Sequence, residues 1–124
     1  MAVPRITKDE LKQRLDGPAG DRPILIDVRL KYPYEHSTVT LPGAIRMGPG
    51  TVDPARLPKD RDLVLYDSDP EDLVSVRLAA RLVRQGYRAM ALAGGIAGWM
   101  TSKFPTDSKP APQLATPATG AAKG

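Results

Sequence analysis

Two uninterrupted apolar runs, Ile24-Leu25-Ile26 and Leu63-Val64-Leu65-Tyr66, mark the chain. Runs of this length suit strands covered on both faces, as in parallel sheets. Arg88 to Leu92 reads as a third strand and Ala44-Ile45 as a brief one. From Leu73 the apolar positions Leu73, Val76, Ala80 and Val83 recur at helical spacing, with Leu78 and Leu82 widening the stripe. Gly86 is placed to stop that helix. Near the N-terminus Thr7 is followed by Glu10 in a capping-box pattern, and Ile6 can staple onto Leu11. The helix they open should end near Asp16-Gly17. Tyr32 to Thr38 predicts a short helical turn, Leu41-Pro42-Gly43 a turn, and Met47 to Asp62 mostly loop. Gly94-Gly95 should let the chain turn sharply into a last short helix, Ile96 to Lys103, whose Trp99 is expected in the core. Strands alternating with helices predict an α/β fold, a small parallel β-sheet flanked by helices on both faces.

The 124 residues suit one domain. From Pro105 the composition shifts to Pro, Ala, Thr, Ser, Lys and Gly without periodicity, so 1–104 is read as the domain and 105–124 as a disordered Pro/Ala/Thr-rich tail. The net charge of +4 is scattered, with no run of five basic residues and only 5% aromatic content, which argues against nucleic acid as a partner. No apolar stretch approaches the ~18 residues that would span a membrane, and no secretory signal is expected, so the default location is cytoplasmic. The absence of cysteine excludes disulfides, thiolate metal sites and cysteine nucleophiles within this chain. His36 is the lone histidine, is expected at the surface, and is weak ground for a metal site; neither metal nor cofactor is predicted.

The chemistry-bearing stretch is the loop after Leu63–Tyr66, with Asp67, Ser68, Asp69, Pro70, Glu71, Asp72 and Ser75 ahead of and within the first turn of a helix. Strand-to-helix loops of this kind are where α/β proteins place chemistry. Around it stand Asp27-Val28-Arg29, Tyr34-Glu35, Leu41-Pro42-Gly43-Ala44-Ile45, Leu57-Pro58-Lys59-Asp60, Gly86-Tyr87, Leu92, Gly94-Gly95 and Trp99. In this order and spacing the residues, from about 5 to 104, resemble a single rhodanese-like domain. The resemblance implies the rhodanese-like fold. It also implies that the position of Asp67 is the one where active members carry the cysteine that accepts a sulfane sulfur as a persulfide, cradled by backbone N–H groups. Two further departures are Val39-Thr40-Leu41, where the family often has Gly-His, and a loop longer than its commonest form.

A carboxylate is weakly nucleophilic toward sulfur and cannot form a persulfide. It also repels an anionic donor, since like charges ~4 Å apart repel by about 4 kcal/mol at an effective dielectric of 20. The expected function is therefore a catalytically inactive rhodanese-like domain, a binding or regulatory module without sulfurtransferase turnover. Within it the loop acids can cap the helix, with Asp67 standing in for the bound anion. They can also present charge to a basic protein partner at the loop face. Asp27 and Arg29 are expected as supporting residues, and Arg77 is placed to temper the loop charge or pair with Asp27. The alternative is a Mg-dependent phosphoryl-transfer enzyme, because Asp67-Ser68-Asp69 after a strand imitates the Asp-x-Asp motif of haloacid-dehalogenase-like phosphatases. Against it, Pro70 stands where that motif wants Thr or Val, and no later Lys and paired Asp follow.

Overall fold

In the computed structural model, which describes residues 3–109, strands and helices alternate along the chain. In order they are Arg5–Ile6 (β1), Lys8–Asp16 (α1), Ile24–Asp27 (β2), Lys31–His36 (α2), Val39–Thr40 (β3), Ile45–Arg46 (β4), Asp62–Tyr66 (β5), Leu73–Arg84 (α3), Arg88–Leu92 (β6), Gly95–Thr101 (α4) and Asp107–Ser108 (β7). Thr7 and Glu10 form the reciprocal capping box at α1, each side chain bonding the other's backbone N–H at 3.1 Å. The loop from Met47 carries two 3-10 turns, Pro49–Thr51 and Pro54–Arg56, before β5.

β1, β6, β5, β2 and β4 form one sheet in that spatial order, every pairing parallel. The two apolar runs lie side by side at its centre, Leu25 opposite Val64 and Ile26 opposite Leu65. Alternation along each strand then splits the side chains between two cores. Ile26, Leu63, Leu65 and Ala89 pack with Leu78, Ala79 and Leu82 of α3. Leu25, Val64, Tyr66 and Leu92 pack with Leu11 of α1 and with Ile96 and Trp99 of α4. Helices thus cover both faces, and each fully buried Leu or Ile contributes about 1.5–3 kcal/mol. Trp99 is fully buried and donates its indole N–H to the Pro105 carbonyl at 2.7 Å, as a core anchor.

Two expectations shift. The buried stripe of α3 is Ser75, Leu78, Ala79 and Leu82, whereas Leu73 is 58% exposed. Both stripes have helical period; the one holding Ser75 wins because that residue is anchored inward through its backbone. The fold also continues past Pro105. β7 pairs antiparallel with β3, Lys109 N–H donates to the Thr38 carbonyl at 2.8 Å, and Asp107 accepts from Gly43 N–H at 2.8 Å. These contacts run through backbone groups and the Asp107 carboxylate, so no apolar period announces them. The remainder of the expected tail, 110–124, lies outside the described residues. Among the described residues no helix is long and apolar enough to cross a membrane.

Candidate functional site

β5 is the central strand, and Asp67 leaves its carboxyl end to begin the loop into α3. The Asp67 side chain turns back into the loop. Its Oδ1 accepts the Asp69 N–H at 2.8 Å and its Oδ2 accepts the Ser75 N–H at 2.6 Å. Asp69 does the same one step on: its Oδ2 accepts from Glu71 N–H at 2.9 Å and from Leu73 N–H at 3.1 Å. At the head of α3 the Leu73 N–H is thus met by Asp69 and the Ser75 N–H by Asp67, both carboxylates of the loop itself. Asp67 is buried, and that burial holds its carboxyl above the ordinary value; the Ser75 and Asp69 N–H groups pull it down, while the nearby Asp72 charge pushes it up.

Asp72 sits at the N-cap of α3 with a left-handed backbone, φ 59°, and is also buried. Its Oδ2 accepts from Gly94 N–H at 3.1 Å and from Arg5 at 3.2 Å, while its Oδ1 has no partner among the described residues. The Asp67 carbonyl accepts the Ile96 N–H at 3.1 Å. Gly95 is left-handed at φ 58°, and a Cβ there would stand 2.3 Å from that carbonyl oxygen, so only glycine fits. The loop is thereby stitched to β1 and to the turn between β6 and α4. Sequence reasoning missed Arg5 and Gly94 as loop partners. Arg5 lies 67 positions from Asp72, and nothing local points to the pair.

Asp27 ends β2, beside Tyr66 in the register of the sheet. Arg29 grips its carboxylate through Nε and Nη2, at 3.0 and 2.6 Å, and the Tyr66 hydroxyl donates to it at 3.0 Å. Arg29 also donates to the Val39 carbonyl at 3.0 Å. Burial and the Asp27 charge push the Tyr66 phenol well above its ordinary value. The expected Arg77–Asp27 pair is not formed. Arg77 is exposed on α3, and Asp27 is taken by Arg29, with Arg46 3.5 Å away. A partner two residues on needs no helix to carry it across, so Arg29 wins.

Over the loop lies a cleft of about 210 Å³ lined by Leu30 just before α2, by Pro33 within it, and by Asp67, Ser68, Asp69, Pro70 and Val74. Ser68 reaches it, but His36, the lone candidate base, is exposed on α2. Of the loop acids, Asp67 and Asp72 are buried, and only exposed Glu71 and half-buried Asp69 face outward, so the face is less acidic than the sequence suggests. The Asp67–Asp69 pair is not arranged for phosphoryl transfer. Asp67 is buried, with each of its oxygens accepting a backbone N–H, so its carboxylate is turned into the loop and is not presented at the mouth beside Asp69. Among the described residues no group of three or more acidic, His or Cys side chains is spaced to hold a metal.

Comparison with known proteins gives a consistent picture. A family model for the rhodanese-like domain matches residues 7–102. A protein from Lactobacillus plantarum is 21% identical, with a TM-score of 0.76 over 85% of this chain and 88% of that one. The rhodanese-like domain protein from Staphylococcus aureus is 24% identical, with a TM-score of 0.64 over 77% of this chain and 90% of that one. A rhodanese-related protein from Thermoplasma volcanium is 14% identical, with a TM-score of 0.62 over 84% and 97% of the two chains. No curated protein matches.

Proposed function

The chain belongs to the family of rhodanese-like domains, and we propose that it serves there as a non-catalytic binding or regulatory module. One observation carries this reading: the Asp67 carboxylate occupies the Asp69 and Ser75 N–H donors. In the active members that the sequence resembles, such donors cradle a cysteine sulfur. Here the chain contains no cysteine at all, so no residue of it can form the persulfide on which that reaction depends. The loop keeps an anion in the cradle, but a permanent one that cannot leave. The scaffold around it is intact and stitched from several sides, as a recognition surface requires.

The partner surface is the cleft between α2 and the loop. Its walls are apolar at Leu30, Pro33, Pro70 and Val74, half-buried Asp69 lines it, and exposed Glu71 follows next to it in the loop. A protein segment carrying an apolar side chain beside a cation fits this surface better than a polybasic one, because Asp67 and Asp72 are turned inward.

Thiosulfate-to-cyanide sulfur transfer tests the catalytic half of the reading. Wild-type protein at tens of micromolar is expected to give no thiocyanate above the protein-free rate. Asp67→Cys, which frees the Asp69 and Ser75 N–H groups to face a thiolate, is expected to take up one sulfur atom, read as a mass gain. Turnover by the wild type would overthrow the reading. For the binding half, Glu71→Ser with Leu30→Ser should reduce capture of partner proteins, since neither side chain holds the fold. Unchanged capture would move the interface elsewhere.

A further inference from the structure

Tyr34, half-buried on α2, is approached by cations from three other segments. The Arg46 guanidinium carbon lies 4.0 Å from its ring centre, the Lys109 ammonium 4.4 Å and the Arg29 guanidinium carbon 5.2 Å. Cations over a phenol ring gain from its quadrupole. They also repel one another, so gathering three of them needs a compensating anion. Among the described residues Asp27 is the one carboxylate paired with this group, and Arg29 already holds it at 2.6 Å. The cluster thus keeps an excess of two positive charges.

Bracing the backbone does not use up these cations. Arg46 spends Nη1 on the Arg29 and Asp27 carbonyls, at 2.6 and 3.4 Å, while its Nε and Nη2 make no hydrogen bond to the described residues. The Lys109 ammonium bonds the Tyr34 and Glu35 carbonyls at 2.6 and 3.2 Å, which leaves its third N–H without a partner among the described residues. The Arg46 side chain is 27% exposed, enough to be reached and covered enough to be poorly screened. Arg46 ends β4 opposite Asp27, so the cluster stands at the carboxyl edge of the parallel sheet, where α/β folds take their ligands.

We propose that Arg46 and Lys109, arranged about Tyr34, bind an oxyanion of the phosphate class, either free or borne on a phosphorylated side chain. A dianion matches the charge excess, and several oxygens suit the open edge of a guanidinium together with an ammonium. The site is distinct from the Asp67 loop and stands whether or not that loop transfers sulfur.

The test uses the full chain, titrated with inorganic phosphate, with acetate and with a phosphoserine peptide. Ionic strength is held constant with chloride, and amide NMR shifts are read at Tyr34 and Arg46. Phosphate is expected to give saturable shifts at millimolar concentration, acetate much weaker ones. Arg46→Gln and Lys109→Gln should each weaken binding by about tenfold or more, since each removes a charge-assisted contact. Tighter binding of the peptide than of phosphate assigns the anion to a phosphorylated partner; equal binding assigns it to the free ion. Should Arg46→Gln unfold the chain, Lys109→Gln with an unchanged melting curve decides alone. Absence of saturation, saturation unaltered in Lys109→Gln, or acetate binding as tightly as phosphate would overturn the proposal.

Discussion

Asp27 and Asp67 leave the carboxyl ends of neighbouring strands, and each is 1% exposed, yet the protein compensates them in opposite ways. Asp27 is matched by a full charge, the Arg29 guanidinium, with Tyr66 completing its hydrogen bonds. Among the described residues Asp67 has no cation as a hydrogen-bond or ion-pair partner, and it is met by backbone N–H groups. A charge matched by a charge is a mutual dependence: remove either side and the other is stranded. A charge matched by N–H dipoles leaves less behind when it goes, because those groups can turn to another acceptor. The loop thus carries a buried carboxylate on backbone groups of its own.

The largest expected effect lies on the Asp27 side. Arg29→Ala strands a buried carboxylate and should cost about 3–5 kcal/mol, measured by urea denaturation. A loss below about 1 kcal/mol would mean that Tyr66 and Arg46 suffice, and the contrast between the strand ends would collapse.

On the Asp67 side the strongest constraint is steric. Gly95→Ala brings a methyl group to 2.3 Å from the Asp67 carbonyl oxygen in a left-handed backbone. The expected cost is roughly 2–4 kcal/mol, from overpacking together with the left-handed penalty. Hydrogen exchange at Ile96, whose N–H bonds that carbonyl, should accelerate more than at Leu25 on the far side of β5. Equal acceleration at both would show global destabilisation rather than loosening of this junction.

Asp67→Asn ranks next. The amide keeps one acceptor for the Asp69 or Ser75 N–H and turns an NH2 toward the other, so about 1–2 kcal/mol should be lost by urea denaturation. That this is smaller than the Arg29 effect is the sharpest form of the comparison. A larger loss would make the loop carboxylate the stronger anchor of the two.

The two strand ends also differ in how far sequence could describe them. Asp27-Val28-Arg29 is local, and its ion pair spans two positions; Thr7 with Glu10, the unbroken apolar run from Leu63 to Tyr66, and Gly94-Gly95 are local too, and each appears where its physics places it. The loop acids were visible as residues but not as directions. Four carboxylates in a short stretch suggested an acidic face; which ones turn inward depends on Gly94 and Arg5, distant in sequence, and on the left-handed backbone at Asp72. Apolar period alone puts Leu73 on the buried stripe, because it cannot weigh a Ser75 N–H held by Asp67. The β3–β7 ladder pairs Val39 and Thr40 with exposed Ser108 and Asp107 through their backbones, where composition carries no signal.

The smallest effect is the pH dependence, and it separates dipoles from burial as the dominant force on Asp67. Its folded carboxyl is held above the ordinary value, with burial the largest cause. The folded state therefore binds that proton more tightly than the unfolded chain. The resulting stability is fully present below the ordinary carboxylate range and is lost as pH rises through the folded value. Asparagine does not titrate, so the cost of Asp67→Asn should grow as pH falls from neutrality toward about 4. Glu10 runs the other way, because the Thr7 N–H holds its carboxyl below the ordinary value. Its contribution is present above the ordinary range and fades in acid, so the cost of Glu10→Gln should shrink over the same interval. Urea denaturation of wild type and both variants across this range gives the two slopes. If the Asp67 slope took the sign of the Glu10 slope, the Ser75 and Asp69 N–H groups would outweigh burial. The loop would then hold its carboxylate as firmly ionised as an exposed helix cap does.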